Sequence, residues 1–413
     1  MEQRNLWALL AINFGAAVYW QVENFWINLY WTREINDSAF NVSLMVSISA
    51  IVGVLTHIFI GALSDSSKSM FGRRRVFILW GGMLGAGFMA LFPLIKLALP
   101  DVALALLLAI ILDILITFFG DMTTPTRIAL ITEHSVKQER GRINASLAVA
   151  MGGGSGLVML IYTFDFLEDD GYFYMASAWM IIGSLVCIYL IDDPPIPDNE
   201  LTFSKCITRI INKESYRENR DFYHLLILLF IIMLGNNTYL HFVYIYAEKG
   251  LGFNQSQVGL MGVINMIMIS AISLPLLAVS DRVGRKPVSI ITIVLSCIPL
   301  VLLSFQPIPD PWMMATCSGC AAGFVTANNL TLQSWLQDLC PPTMKASLLA
   351  YIMVFSVIPM APGSLLGGFI ADSLAVPPSL YSPAFFGIAA LIMGISVPGL
   401  ARVRETVIRH VDE

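Results

Sequence analysis

The chain has 413 residues, a formal net charge of −5 and a mean hydropathy of +0.72, with 56% of its residues hydrophobic and only 13% charged. A soluble domain would carry about a quarter charged residues, so a wholly water-facing exterior is excluded. The polar segments are too short for a catalytic domain and hold no Walker loop, metal-ligand cluster, catalytic triad or nucleic-acid-binding module, so the reading is not an enzyme, with no cofactor, no metal and no nucleic-acid partner.

A helix crossing a bilayer needs about 20 apolar residues. In chain order, twelve such segments run over approximately 5–31, 39–64, 76–97, 102–131, 142–164, 172–191, 221–247, 255–279, 287–305, 311–337, 346–371 and 382–401. The predicted fold is therefore an all-α polytopic membrane protein, with twelve transmembrane helices in two pseudo-symmetric six-helix bundles. The first bundle covers 1–191 and the second 221–413. The first apolar run is of span length, so no removable signal peptide is expected. The linker, 192–220, opens with Asp192-Asp193-Pro194-Pro195. It continues with Phe203, Ile207, Ile210 and Ile211 on one stripe and Lys205, Arg209 and Lys213 on the others. That pattern suits either a short helix on the membrane surface or a solvated connection.

With the amino terminus inside, twenty Lys and Arg fall on the inner side and three (Arg33, Lys96 and Lys249) on the outer, with Arg127 inside a span. The positive-inside rule then puts both termini in the cytoplasm of a cell membrane. The six cysteines lie in spans or on the inner side, and Cys317 and Cys320 read as small packing residues.

The halves echo each other at their inner loops. Asp65 precedes Gly72-Arg73-Arg74-Arg75, and Asp281 precedes Gly284-Arg285-Lys286. Glu133 is followed seven residues on by Arg140, and Asp338 seven on by Lys345. The two offsets, 281 − 65 = 216 and 338 − 133 = 205, imply a duplicated six-helix unit.

The Asp-x-x-Gly-Arg-Lys loop at 281–286 resembles the signature of the major facilitator superfamily. The longer first copy, Ser64-Asp65-x-x-x-Ser69-x-x-Gly72-Arg73-Arg74-Arg75, is similar to that of the glycoside–pentoside–hexuronide and sucrose-type sugar symporters. The resemblance implies a monomeric secondary transporter that works by alternating access, taking a sugar or related small polar solute together with a proton. Span 2 lacks the Asp pair of the melibiose-type branch, which argues against its kind of sodium coupling. Two other readings stay open: a proton-driven exporter of amphipathic compounds, and a nutrient receptor that has lost transport.

An ionisable group in the hydrocarbon is costly unless paired or facing water, and so is a functional candidate. The acids Glu23, Asp113 and Asp121 are the candidate proton carriers, and Arg127 is the one intramembrane base. Glu23 borders Trp20 and Asn24, an aromatic face and an amide suited to a sugar ring. Helical periodicity puts Asp113, Thr117, Thr124 and Arg127 on one stripe of span 4, with Asp113 and Arg127 about 21 Å apart. Asp121 points about 80° from Asp113, toward a neighbouring helix or the far side of the cavity. In the second half, Asn237, His241 and Tyr244 are spaced i, i+4, i+7 and share a face of span 7. Asn329 and Gln333 complete the neutral polar candidates for substrate binding; interhelical hydrogen bonding is the competing role for them. Asp65, Gly72, Arg73, Arg74, Glu133, Arg140, Asp281, Gly284, Arg285 and Asp338 are expected to form a cytoplasmic latch.

Overall fold

A computed structural model describes residues 3–405 apart from 68, 70–71, 99, 135–139, 192–218, 306–309, 340–347 and 376–380. Nearly all of the linker lies outside the described residues.

The first six helices are α1 (Gln3–Gln21), α2 (Ala39–Ser66), α3 (Arg75–Leu91), α4 (Val102–His134), α5 (Arg140–Thr163) and α6 (Gly171–Leu190). The second six are α7 (Arg220–Leu240), α8 (Gln255–Val283), α9 (Arg285–Phe305), α10 (Pro311–Leu339), α11 and α12 (Ala384–Arg402). α11 is Leu348–Val357 followed, after a turn, by Met360–Ser373. Ten of these segments are long and apolar enough to cross a membrane. The other two, α1 and α10, are the polar ones, with Asn5, Asn13 and Gln21 in the first and Asn328, Asn329 and Gln333 in the second. Together they make the twelve-helix membrane fold.

Local signals account for several helix ends. Asn254 and Gln257 form a capping box at the start of α8, each side chain accepting the other's backbone N–H at 2.9 Å. Gly284 ends α8 with φ of 122°, a conformation that strains any residue carrying a Cβ.

The chain forms two compact units, Met1–Asp37 with Ile48–Cys206, and Ser38–Ser47 with Ile207–Glu413. The first ten residues of the α2 region therefore group with the second unit. There Asp372 accepts from Ser38 Oγ at 2.8 Å and from the backbone N–H groups of Ala39 and Phe40, both at 3.0 Å, satisfying orphan donors at the start of α2.

The two units repeat one packing plan. α1 packs on α5 and α6, and α3 on α4 and α6; correspondingly, α7 packs on α11 and α12, and α9 on α10 and α12. Lipid supplies no hydrophobic drive between helices, so close backbone approach has to serve. Glycine makes that approach possible: a Cβ on Gly154 of α5 would lie 2.6 Å from the Phe14 carbonyl of α1. A Cβ on Gly363 of α11 would lie 2.7 Å from the Leu234 carbonyl of α7.

The repeat extends to its irregularities. After α1 the chain winds as a π-helix over Val22–Ile27 and again over Trp31–Ile35; after α7 it turns at His241 and winds as a π-helix over Tyr246–Gly250. The last two π segments start 246 − 31 = 215 residues apart, matching the loop offset to within one residue. π turns interrupt helices at functional sites more often than elsewhere, and Glu23 lies inside the first of them.

Candidate functional site

α4 sorts its residues sharply by face. Leu104, Leu107, Leu108 and Ile111 are exposed, in positions that suit lipid, whereas Asp113, Thr117 and Asp121 are buried. The buried stripe faces α2. Ser49 Oγ donates to Asp113 Oδ2. A Cβ on Gly53 would lie 3.7 Å from the Thr117 methyl, and His57 Nε2 meets Asp121 Oδ1 at 2.9 Å. The pairs 49/113, 53/117 and 57/121 share an offset of 64 and recur every four residues, so the helices run parallel, in register, for two turns. Asp121 thus meets a neighbouring helix, one of the two placements expected for it.

α1 closes the site. Tyr19 donates to the Ile116 carbonyl at 2.8 Å and stands edge-on to Trp20. Trp20 covers Gly120, where a Cβ would come within 3.2 Å of its ring. Glu23 is in electrostatic reach of Asp113 and Asp121, and Tyr19 in reach of all three acids. The three carboxyls singled out in the sequence are therefore brought together. Arg127 joins none of them by a hydrogen bond among the described residues. Its Nη1 donates to Asn13 Oδ1 at 3.0 Å and its Nη2 to Thr124 Oγ1 at 3.2 Å. Asp113 Oδ1 and Thr117 Oγ1 are buried with no hydrogen-bond partner. Asn24 is exposed, its amide donating to the Trp20 carbonyl at 2.9 Å.

The second unit corrects one expectation. Asn237, His241 and Tyr244 do not share the face of one continuous helix, because α7 ends at Leu240 and the chain turns at His241. Asn237 donates back to the Met233 carbonyl, one turn earlier on α7, at 2.8 Å. His241 is buried with Nε2 unpartnered. Tyr244 accepts from Asn265 Nδ2 at 3.4 Å, and Asn265 Oδ1 accepts from Ser318 Oγ at 3.0 Å. Gln333 donates to Asn329 at 3.1 Å.

Sequence reasoning passed over Asn265 and Ser318. They are the repeat mates of Ser49 and Asp113, since 49 + 216 = 265 and 113 + 205 = 318. By the same offsets His57 maps to Ser273, Asp121 to Thr326 and Arg127 to Leu332. The fold is duplicated, but the two aspartates and the arginine of α4 have uncharged mates in the second unit.

At the basic ends, Arg73 and Arg74 both donate to Glu133 Oε1, at 2.5 and 2.8 Å, and Arg74 also donates to Ser64. Gly72 takes φ of 100° ahead of them. Arg285 donates to Asp281 and, at 3.2 Å, to Asp338. The side chains of Asp65 and Arg140 lie outside the described residues. Glu405, absent from the expected set, accepts the backbone N–H groups of Arg285 at 3.1 Å and Lys286 at 2.9 Å, capping α9 from the carboxyl-terminal segment. A lone Glu beyond the last span carries no local signal of that role.

A family model described as Major Facilitator Superfamily matches residues 6–269 and 225–409. The chain belongs to that superfamily. Two solved transporter structures share the fold. The nucleoside transporter NupG has TM-score 0.70 at 14% identity, covering 98% of this chain and 100% of its own. A bacterial homolog of the human lysosomal transporter Spinster, inward-facing and unoccupied, has TM-score 0.68 at 12% identity, covering 97% and 95%. Proton-associated sugar transporter A of Mus musculus is 32% identical over 170 residues, or 38% of this chain, and the Rattus norvegicus protein matches equally. The match spans 22% of those relatives' length. This superfamily member is thus a multi-pass membrane protein that shares its fold with both solved transporters.

Proposed function

We propose that the protein is a proton-coupled symporter of a sugar or related polyhydroxylated solute, acting as a monomer in a cell membrane with both termini cytoplasmic. The observation that carries this reading is the convergence of Glu23, Asp113 and Asp121 in the first unit without a hydrogen bond to the one nearby arginine. A buried carboxyl with no cationic partner can exist neutral, and alternating access lets it load on one side and unload on the other. Asp113 suits this best: one oxygen has a single hydroxyl partner and the other has none. Neutral amides and hydroxyls in the second unit, Asn265, Ser318, Asn329 and Gln333 among them, suit a polyol, which needs donors and acceptors without fixed charge. The 32% identity to a proton-associated sugar transporter supports the same substrate class.

Symport requires that substrate bind better to the protonated form, and that difference is the coupling free energy. The test uses proteoliposomes with an imposed pH gradient and radiolabelled glucose and sucrose as probes. Asp113→Asn and Glu23→Gln, which mimic permanent protonation, are expected to lose uphill uptake and keep counterflow. Uphill uptake at the parent rate in both variants overturns the reading, and so does a parent that accumulates neither sugar.

A further inference from the structure

α2 carries two packing registers. From Ser49 onward it runs parallel to α4 at the offset of 64. Its first turns run antiparallel to α11 instead. The Ala39 N–H donates to Asp372 Oδ1 at 3.0 Å, a Cβ on Gly368 would lie 2.6 Å from Ser43 Cβ, and Ser47 Oγ meets Ser364 Oγ at 2.8 Å. The pairs 39/372, 43/368 and 47/364 each sum to 411 and recur every four residues, so one face of α2 lies along one face of α11 for two turns. The changeover falls between Ser47 and Ser49, where the chain divides: Ser38–Ser47 belongs to the second compact unit and Ile48 onward to the first. All of this α2–α11 seam therefore lies within the second unit.

The end of the seam is fastened differently from its repeat mate. The offset of 216 maps Ser38 to Asn254 and Asn41 to Gln257, since 38 + 216 = 254 and 41 + 216 = 257. In α8 those two residues form a reciprocal capping box from within one turn. In α2, Ser38 Oγ accepts from the Asn41 N–H at 3.3 Å, but the Ala39 and Phe40 N–H groups and the Ser38 hydroxyl all go to Asp372. One carboxyl of α11 thus completes for α2 the cap that α8 builds from its own residues. We propose that Asp372 is a latch that holds the α2–α11 seam shut, and that the seam parts when the protein opens at the end of α2 opposite the Arg73–Glu133 cluster. The backbone donors that Asp372 releases pass to water at that helix end, so the latch biases the seam without locking it. The rest of the seam suits parting, because Gly368 and the buried Ser43, Ser47 and Ser364 bring little apolar surface to it. The proposal rests on the alternating-access reading, but its test needs neither proton nor sugar.

The experiment is maleimide labelling of a Ser364→Cys reporter in a Cys-less background, with the full-length protein in nanodiscs whose two faces both meet the reagent. Ser364 is buried at the seam, so the reporter reacts when the seam parts. Asp372→Ala should speed labelling about fivefold, the factor that a lost helix cap is worth. Gln257→Ala, which breaks the capping box of the mate helix, should leave the rate at the parent value. A general loosening of the protein would raise it in both variants. If Asp372→Ala does not fold, Ser38→Ala, which removes one of the three contacts, takes its place and should speed labelling about twofold. A parent rate in the folded latch variant, or an equal rise in Gln257→Ala, overturns the latch. A parent that accumulates no sugar bears on the transport reading and leaves these rates unchanged.

Discussion

A Cβ on Gly53 would sit 2.6 Å from Oδ2 of Asp121: the carboxylate of α4 occupies the volume that the glycine of α2 leaves open. The obstructing atom is the end of a short side chain, so it can swing aside, but only by giving up its 2.9 Å contact with His57. Gly53→Ala should therefore destabilise the protein by about 1–2 kcal/mol. The cost should shrink by at least about 0.5 kcal/mol when Asp121→Ala is already present, because directly touching residues are not additive. Thermal unfolding of the two singles and the double in detergent measures this; equal costs in both backgrounds would refute the contact.

The two charge clusters at the basic ends should respond unequally. Arg73 and Arg74 have side chains only 5% exposed, and both donate to Glu133. Glu133→Gln removes the carboxylate that two buried guanidiniums share, and should cost about 3 kcal/mol, the low end for breaking a buried pair because Glu133 is itself partly solvated. Asp338 is 38% exposed and Arg285 keeps Asp281, so Asp338→Asn should cost no more than about 1 kcal/mol. Thermal shifts of similar size in the two variants would contradict the burial difference.

Glu405 should matter more than its place near the end of the chain suggests. It accepts two backbone N–H groups at the amino terminus of α9, where a negative charge also meets the helix dipole. Glu405→Ala should lower stability by about 1–2 kcal/mol, within the range for losing a helix cap. Glu405→Gln, which keeps an acceptor, should cost less. Unfolding curves indistinguishable from the parent would show the cap to be dispensable.

The orientation set by basic residues can be checked chemically. Glu168 is exposed in the turn between α5 and α6. In a Cys-less background, Glu168→Cys should react with an impermeant maleimide added outside intact cells, and Lys205→Cys only after lysis. The reverse pattern would invert the topology.

Much of this protein follows from one-dimensional pattern. Twelve charge-poor runs of bilayer length can only be helices, because a backbone in hydrocarbon must satisfy its own hydrogen bonds. The paired loops at offsets of 216 and 205 carry the duplication, and a carboxyl in the hydrocarbon stands out by its cost alone. What no single stretch contains is the register between stretches. Ser49 and His57 read as ordinary polar residues of span 2 until α2 and α4 align at a constant offset of 64, which makes them partners of Asp113 and Asp121. The break at His241 and the π turn around Glu23 likewise lie beyond a 3.6-residue period, which assumes an unbroken helix. Hydrophobicity decides that a helix enters the membrane. Only close packing, through glycines such as Gly53 and Gly120, decides which carboxyl meets which donor.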